Sequence, residues 1–235
     1  MESPNSMGNR IALVTGATRG IGHAIASGLA SHDVCPIVTG RDEALGQKVA
    51  SELEGVFRKL DVTVRQDVED IARWLEREHG GLDVLVNNAS SLGPVPLALL
   101  ADTECEELEA AFATNLVGPF RLTKALLGAL AASARAGRPA LVINIISDAA
   151  VTAYAGWGAY GASKAALLHL SRIWNEELAG HGIRVEPIDP GDMDTPLHAL
   201  AVPDADPATL KRPADSAREI VDFIEAHTRE SRSRG

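Results

Sequence analysis

The sequence predicts a doubly wound α/β fold, in which helices cover both faces of a parallel sheet. Apolar runs with the length of buried strands alternate with helical patterns, and the first run leads directly into a glycine-rich turn and a helix. No shift in composition marks a domain boundary. We therefore expect one domain over residues 10–230, between a flexible segment 1–9 and a disordered tail 231–235.

Six apolar runs account for the strands of the predicted sheet. They cover residues 10–15, 34–39, 55–60, 83–87, 140–146 and 183–188, and helical patterns cover 23–30, 43–53, 65–79, 105–113, 118–134, 159–178 and 216–228. Pro36 is an objection to the second strand, because proline donates no hydrogen bond to a sheet. In a sheet of this kind, ligands bind at the carboxyl ends of the strands.

Composition argues against several classes of protein. A net charge of −10 disfavours a nucleic-acid partner, which requires clustered lysine and arginine. No apolar run approaches the roughly 20 residues of a membrane span, and residues 1–10 lack the apolar core of a signal peptide. Cys35 and Cys105 are the only cysteines, without zinc-type spacing. We expect no metal site, no membrane partner, reduced thiols and a cytoplasmic location.

The turn after the first strand reads Gly16-Ala17-Thr18-Arg19-Gly20-Ile21-Gly22. Glycines permit a tight turn and close approach of a ligand to the backbone, while the free N–H groups of the following helix attract an anion. The turn therefore predicts a phosphate cradle. Its G-x-x-x-G-x-G spacing differs from the G-x-G-x-x-G of the best-known dinucleotide turn, and a plain strand-to-helix turn is the alternative.

Tyr160 and Lys164 are four positions apart, which places both side chains on one face of a helix. An ammonium group at about 4 Å, at an effective dielectric constant of about 20, favours the phenolate by roughly 4 kcal/mol, or about three pKa units. We therefore expect a lowered tyrosine pKa and proton exchange with a substrate oxygen near neutral pH. A pair on the helix surface is the alternative.

Together these motifs resemble the short-chain dehydrogenase/reductase family, in its compact single-domain branch, from about residue 10 to about residue 197. Asn87-Asn88-Ala89 resembles the family's Asn-Asn-Ala-Gly motif, with Ser90 replacing the final glycine. Pro190-Gly191 followed by Thr195 resembles its nicotinamide loop. Four residues align with its catalytic tetrad, with the serine thirteen positions before the tyrosine: Asn115, Ser147, Tyr160 and Lys164.

The resemblance implies an enzyme that interconverts a ketone or aldehyde and an alcohol by hydride transfer. Ser147 would stabilise charge on the substrate oxygen, and Tyr160 would be the general acid and base. Lys164 would lower the tyrosine pKa and hold the ribose hydroxyls, and Asn115 would hold a water that links Lys164 to solvent. A non-catalytic NADP-binding sensor and a sugar-nucleotide epimerase or dehydratase are the alternatives.

The resemblance also implies a set of cofactor contacts, with Asp61 accepting a hydrogen bond from adenine and Val62 donating from its backbone. The second strand ends in Thr39-Gly40-Arg41, with no carboxylate to bind a ribose hydroxyl, and Arg19 is nearby; this favours NADP(H). Asp42 argues against this preference, because it would be the carboxylate that binds the ribose hydroxyl if the second strand ended two residues later. The full set is Gly16, Thr18, Arg19, Gly20, Ile21, Gly22, Arg41, Asp61, Val62, Asn88, Ala89, Tyr160, Lys164, Pro190, Gly191 and Thr195.

Apolar and aromatic residues in the variable segments predict the substrate pocket. Short runs around Ser91 and Trp157 resemble sepiapterin reductases, so a pteridine carbonyl is an alternative to a generic ketone or aldehyde. Residues 203–213 are proline-rich and acidic, which indicates a mobile lid or a linker. The predicted lining is Leu92, Val151, Tyr154, Trp157, Met193, Leu197 and Leu200.

Relatives in this family usually finish with a seventh strand, and no apolar β run follows Ile224. We therefore expect a Rossmann-like sheet of six strands in the order 3-2-1-4-5-6. The subunit contact that relatives build from the last strand would be lost. A homodimer through helices 118–134 and 159–178 is our prediction, with burial in the core as the alternative for the residues concerned: Leu122, Leu126, Leu130, Leu167, Leu170 and Trp174.

Overall fold

The structure, a computed structural model, describes residues 10–233 and contains the predicted six-stranded parallel sheet. The strand order is β3-β2-β1-β4-β5-β6. Each strand lies inside or within one residue of a predicted run, which confirms the fold class. The bounds are β1 (Arg10–Val14), β2 (Val34–Gly40), β3 (Val56–Lys59), β4 (Val84–Asn87), β5 (Leu141–Ile145) and β6 (Arg184–Ile188).

Helices connect the strands and differ from the predicted set at three places. The first helix begins at Gly20, inside the glycine turn, and residues 196–201 form a helix that we did not predict. The last helix begins at Pro213 and continues to Ser233, past the predicted end and into the expected tail. Residues 1–9, 234 and 235 lie outside the described residues. The bounds are α1 (Gly20–Ala30), α2 (Glu43–Glu52), α3 (Arg65–Glu78), α4 (Cys105–Phe112), α5 (Gly118–Arg135), α6 (Gly158–Leu178), α7 (Pro196–Ala201) and α8 (Pro213–Ser233).

Local signals mark the start of the unpredicted helix α7 and of the last helix α8. Thr195 caps α7, because its side chain accepts a hydrogen bond from the His198 N–H at 3.2 Å, and Pro196 follows at the first helical position. Pro213 likewise occupies the first position of α8. Proline favours that position because its fixed φ suits a helix and its missing N–H would have no partner there.

Apolar side chains cover the sheet on both faces. Ile25 of α1 and Ile220 of α8 belong to the cluster on one face, and Leu75 of α3 belongs to the cluster on the other. Fully burying a leucine contributes about 1.5–3 kcal/mol relative to leaving it exposed. Four of the predicted interface leucines are buried with at most 1% of their surface exposed, so assigning them to a dimer contact was wrong: Leu122, Leu126 and Leu130 in the second of these clusters, and Leu167 in a separate one.

Prolines in two strands occupy places where the sheet needs no N–H. The ladder between β2 and β3 begins at Ile37, one residue after Pro36, so the objection raised by Pro36 does not hold. At the edge strand β6, Val185 donates its N–H to Asn175 Oδ1 at 3.1 Å, and Pro187 has no N–H to offer. Across residues 10–233, no helix is both long and apolar enough to cross a membrane.

Candidate active site

The predicted site residues gather where β1, β4, β5 and β6 end, at the carboxyl edge of the sheet. The glycine turn follows β1, Asn88 follows β4, Ser147 follows β5 and Pro190 follows β6. Tyr160 and Lys164 lie in the first two turns of α6. Strand ends of one direction meet at one edge of a parallel sheet, which explains why positions far apart in sequence come together.

Close packing makes glycine necessary in the β1–α1 turn. Gly16 and Gly20 have φ values of +62° and +57°, a region that favours glycine. A Cβ on Gly22 would lie 2.4 Å from Asn88 Nδ2 and 2.5 Å from the main-chain oxygen of Gly16. The turn is therefore tight because its glycines carry no side chains, as close approach of the backbone to a phosphate requires.

Hydrogen bonds of the Asn88 and Thr15 side chains hold this turn in place. Asn88 Nδ2 donates to the oxygens of Thr15, at 2.8 Å, and Gly16, at 3.2 Å. Thr15 Oγ1 accepts the N–H groups of Asn88, at 2.8 Å, and Ala89, at 2.9 Å. The side chain of Asn88 thus holds protein backbone, and Thr15 is a site residue that our sequence reading missed, although its place directly before Gly16 was a signal.

The first turn of α1 is open to an anion. Arg19 precedes the helix without a capping hydrogen bond from its side chain, and no acidic residue lies in the first turn. Within the described residues, no carboxylate or side-chain oxygen occupies these N–H groups. Together with the glycine cradle, this arrangement fits the phosphates of the dinucleotide that the fold implies.

Charged groups at the end of β2 are arranged around an exposed Arg41. Asp42 accepts the Leu45 N–H at 3.0 Å and caps α2, two residues past the strand end, so it is not the strand-end acid that we considered. Burial raises the pKa of Asp61, but hydrogen bonds from the hydroxyl and N–H of Thr63, together with the charge of Arg41, outweigh burial and lower it. Asp61 is therefore a carboxylate that can accept a hydrogen bond.

Tyr160 and Lys164 are both buried, and this reverses one expectation. Burial raises the pKa of Tyr160 to about 12 and lowers the pKa of Lys164 to about 8. Lys164 Nζ donates to the main-chain oxygen of Ile145 at 2.7 Å and lies 5.5 Å from the centre of the Tyr160 ring. The predicted lowering of the tyrosine pKa was wrong for this structure, because the loss of water around the phenol raises that pKa.

Ser147 follows β5 in an extended conformation, beside an acidic group that the sequence reading did not single out. Its Oγ donates to Asp148 Oδ1 at 3.0 Å, and the hydroxyl of Tyr154 donates to Asp148 Oδ2 at 2.6 Å. These hydrogen bonds, that of Tyr154 foremost, lower the pKa of Asp148. Burial raises the pKa of Tyr160, and the Ser147 hydroxyl opposes that rise.

Asn115 lies in a short π-helical turn, Ala113–Val117, between α4 and α5, and is fully buried. Its Nδ2 donates to the oxygen of Ser91 at 2.7 Å and to Ser163 Oγ at 2.8 Å. Its Oδ1 accepts from Ser90 Oγ at 3.2 Å and from the Ser91 N–H at 2.8 Å. All hydrogen-bonding positions of the side-chain amide are used by protein groups, so the amide has no capacity left for a water.

Part of the predicted pocket lining surrounds Tyr160. Leu92, Trp157 and Leu197 pack in one cluster with it, and the Trp157 ring lies edge-on at 5.6 Å between ring centres. Leu97, Ala149 and Ala201 complete this cluster. Three other predicted lining residues lie elsewhere: Met193 packs in the core with α1 and α8, and Val151 and Leu200 are 75% and 52% exposed.

The loop after β6 lies over the start of α1. Thr195 carries the methyl group nearest to Gly20, 3.7 Å from where a Cβ would be. Pro190 accepts a hydrogen bond from Ser216 Oγ at 2.8 Å, a contact that the sequence reading missed. Lys211 pairs with Met193 as a β-bridge, so the end of segment 203–213 is joined to this loop by backbone hydrogen bonds.

An open glycine cradle beside a buried Tyr–Lys pair, at the carboxyl edge of a doubly wound sheet, defines a nucleotide-binding oxidoreductase as the class of protein. The chain belongs to the short-chain dehydrogenase family, whose model matches residues 10–206. Galactitol 2-dehydrogenase of Agrobacterium fabrum is 34% identical over 190 residues, which are 80% of this chain and 72% of that protein.

Two solved structures with high similarity cover almost the whole chain. A short chain dehydrogenase from Shigella flexneri, complexed with NADP, has a TM-score of 0.87 and 28% identity over 94% of each chain. A 3-ketoacyl-(acyl-carrier-protein) reductase from Brucella melitensis, complexed with NADH, has a TM-score of 0.85 and 26% identity, covering 93% of this chain and 92% of that one.

Gly22→Ala is expected to weaken NADPH binding by about tenfold or more. The new methyl group would collide with a main-chain oxygen, which cannot rotate away, and the turn would have to open. Gly128→Ala in α5 is the matched control, because no atom lies within 4 Å of its Cβ position. NADPH fluorescence titration measures both variants. Parent-like affinity in Gly22→Ala would contradict the cradle.

Proposed function

We propose that the chain is an NADP(H)-dependent oxidoreductase that interconverts a ketone or aldehyde and an alcohol, with Tyr160 as general acid and base. The observation that carries the proposal is the buried Tyr160 phenol, which lies in an apolar cluster at the edge of the sheet that also carries Ser147 and the glycine cradle. The nicotinamide, when bound, supplies or accepts the hydride.

The chain's own groups suit carbonyl reduction. With its pKa raised to about 12, Tyr160 is protonated at neutral pH and can donate a proton to a carbonyl oxygen. The hydroxyl of Ser147 stabilises charge that develops on the same oxygen. Apolar neighbours such as Leu92 and Trp157 exclude water from the phenol and strengthen both hydrogen bonds. Alcohol oxidation uses the phenolate, which the same burial disfavours.

Tyr160→Phe is expected to reduce turnover by several orders of magnitude and to leave NADPH affinity nearly unchanged, because it removes only the hydroxyl that transfers the proton. A screen of ketones and aldehydes, with a pteridine carbonyl included and NADPH absorbance as the signal, identifies the substrate. Tyr154→Phe, at the chain's other tyrosine, is the control and is expected to lose far less. Full activity in Tyr160→Phe would exclude the assignment.

The preference for NADP(H) rests on two exposed arginines, Arg19 and Arg41, which flank the cradle and the end of β2. Among the side chains that the structure describes, no carboxylate forms an ion pair with either arginine. Guanidinium groups bind phosphate through charge-assisted hydrogen bonds, so both are available to a ribose 2′-phosphate.

Arg19→Ala and Arg41→Ala are each expected to weaken NADPH binding about tenfold or more, since a hydrogen bond to a charged group contributes about 1.5–3 kcal/mol. NADH has no 2′-phosphate and provides the internal control, with little change expected in its affinity. Fluorescence titrations and kcat/KM with both cofactors measure the effect. A parent enzyme with a higher kcat/KM for NADH would refute the preference.

A non-catalytic sensor remains the alternative from a different class. Tight NADPH binding without turnover of any compound in the screen would favour it. The complete set of Asn115, Ser147, Tyr160 and Lys164 argues for an enzyme, since a sensor has no use for a proton donor held in an apolar cluster. We also propose a cytoplasmic location, in line with Cys35 and Cys105 being unpaired thiols.

A homodimer through α5 and α6 is our proposal for the assembly. After the core leucines are set aside, the exposed apolar residues on this side are Val117, Phe120 and Ile173, at 40%, 39% and 42% exposure. Phe120 stacks on Trp174 at 5.9 Å between ring centres, so the two helices present a continuous aromatic surface. Such surfaces are typical of subunit contacts.

The double variant Phe120→Glu/Ile173→Glu is expected to convert the dimer into a monomer, because burying two carboxylates in an apolar contact costs several kcal/mol. Light scattering measures the mass in solution. Val64→Glu, which adds a charge at a similarly exposed residue on the start of α3, is expected to leave the dimer intact. A parent protein that is a monomer or a tetramer would contradict the proposal.

A further inference from the structure

Asp148 comes directly after Ser147, and its carboxylate accepts hydrogen bonds from two hydroxyl groups. Ser147 Oγ donates to Asp148 Oδ1 at 3.0 Å, and the Tyr154 hydroxyl donates to Asp148 Oδ2 at 2.6 Å. Ser147 Oγ in turn accepts the N–H of Ala149 at 3.2 Å. The single hydrogen of the Ser147 hydroxyl is therefore already given to a carboxylate.

This hydrogen bond sets a condition on the substrate. The proposed function needs the same hydrogen of Ser147 at the carbonyl oxygen of the substrate. Hydrogen bonds to an ionised acceptor are about twice as strong as those to a neutral one, so a plain ketone competes poorly with Asp148 for this hydrogen. The hydrogen is released at little cost only when another donor takes its place on Asp148 Oδ1.

We propose that the substrate is an α-hydroxy ketone or aldehyde, whose hydroxyl donates to Asp148 while Ser147 donates to its carbonyl oxygen. Asp148 is then the residue that sets specificity. Reduction gives the carbonyl carbon a hydride from the reduced cofactor and the carbonyl oxygen a proton from Tyr160, so the product is a vicinal diol and the cofactor is oxidised. The inference rests on the proposed function and names the class of substrate for the same site.

The two groups of the protein match the two groups of such a substrate. Asp148 Oδ1 is an acceptor and the Ser147 hydroxyl is a donor, with their oxygens 3.0 Å apart. An α-hydroxy ketone carries a donor and an acceptor on neighbouring carbon atoms. One molecule therefore replaces the Ser147–Asp148 hydrogen bond with two, and neither protein group is left without a partner. A carboxylate has about four lone-pair positions, so Asp148 keeps its bond from Tyr154 at the same time.

The carboxylate of Asp148 is held in place before a substrate binds. Tyr154 fixes one of its oxygens, and its main chain begins the short helical turn Asp148–Ala150. This turn packs closely on α6, since a Cβ on Gly161 would lie 3.0 Å from the main-chain oxygen of Ala149. An acceptor that is already ordered loses little freedom on binding, which strengthens recognition of the substrate hydroxyl.

Hydroxyl groups, and not a cation, stabilise the charge of Asp148. The hydrogen bonds from Tyr154, the largest cause, and from Ser147 lower the pKa of Asp148, so the group is ionised at neutral pH. Within the described part of the chain, no lysine, arginine or histidine contributes to that lowering. A substrate hydroxyl would join a site that already binds hydroxyl groups, which is why we name a hydroxyl and not an ammonium group.

The rest of the substrate has an apolar place to bind. Leu92 and Trp157 pack with Tyr160 and with Ala149, the residue next to Asp148. Asp148 itself is exposed, whereas the members of this cluster are buried or half-buried. A ketone with a hydroxyl on one side of the carbonyl and an apolar or aromatic group on the other side therefore matches both parts of the site.

Two aromatic ketones, α-hydroxyacetophenone and propiophenone, test the inference as a matched pair, because they differ only by a hydroxyl in place of a methyl group. The parent enzyme is expected to reduce α-hydroxyacetophenone with a kcat/KM about tenfold or more higher, the equivalent of a hydrogen bond to a charged group. NADPH absorbance measures both reactions. Equal kcat/KM values for the two ketones would overturn the inference.

Asp148→Ala is expected to change the two reactions in opposite directions. It removes the acceptor for the substrate hydroxyl, so kcat/KM for α-hydroxyacetophenone falls about threefold or more. It also frees the Ser147 hydrogen, so kcat/KM for propiophenone rises about threefold, and the preference falls to near one. A residue that only supports the loop would lower both values together, and that outcome would contradict the inference.

Two further variants bracket this result. Asp148→Asn keeps the shape and a neutral acceptor, so its preference is expected to lie between those of the parent and of Asp148→Ala. Asp222→Asn removes the same charge from an exposed position on α8 and is expected to keep the parent preference. A loss of preference in Asp222→Asn equal to that in Asp148→Asn would assign the effect to net charge and overturn the role of Asp148.

Binding without turnover separates failure of this inference from failure of the proposed function. In the Tyr160→Phe background, calorimetric titration of the NADPH complex measures the dissociation constants of both ketones. The hydroxy ketone is expected to bind about tenfold more tightly, and Asp148→Asn is expected to reduce that difference. If the parent reduces no ketone, the proposed function fails, while the titration still decides whether Asp148 recognises the hydroxyl. Equal dissociation constants, or no binding of either ketone, would overturn that recognition.

Discussion

The buried amide of Asn115 makes four hydrogen bonds, and the position of the whole Tyr160 side of the site depends on them. They join the π-helical turn to the segment after β4, through Ser90 and Ser91, and to α6, through Ser163. Ser163 in turn donates to the main-chain oxygen of Tyr160 at 2.7 Å. An irregular turn between α4 and α5 thereby fixes the helix that carries the phenol, and its geometry is a recurrent feature of functional sites.

Burial favours a neutral phenol at this site. Burial acts in opposite directions on the pKa values of Tyr160 and Lys164, and in both it favours the uncharged form. Burial is the largest cause of the raised Tyr160 pKa, and the charges of Asp189 and Asp148 act in the same direction. The ammonium of Lys164 donates to the main-chain oxygen of Ile145 and lies 5.5 Å from the centre of the Tyr160 ring.

The sequence was sufficient to predict the sheet and the residues that meet at the site. It was not sufficient to predict the pKa values there. Strands buried on both faces are continuous apolar runs, which are visible without a structure. The tyrosine pKa was mispredicted because pairwise distance can be inferred from helix spacing but loss of water cannot. The leucines of α5 were misassigned for a related reason: periodicity shows that a helix has an apolar face, and not whether that face packs on its own sheet or on another subunit. The short helix α7 was missed although Thr195-Pro196 is a start signal.

The edge strand β6 lacks available hydrogen-bond donors at two of its outward positions. Because Asn175 occupies the N–H of Val185 and Pro187 has none, these two edge positions offer only carbonyl oxygens. A strand that docks on an edge needs donors and acceptors in alternation, and one that approaches here would find acceptors alone. The sheet can therefore end at six strands without becoming a template for the growth of further strands, and the same two residues are those a designer would have to replace to extend it.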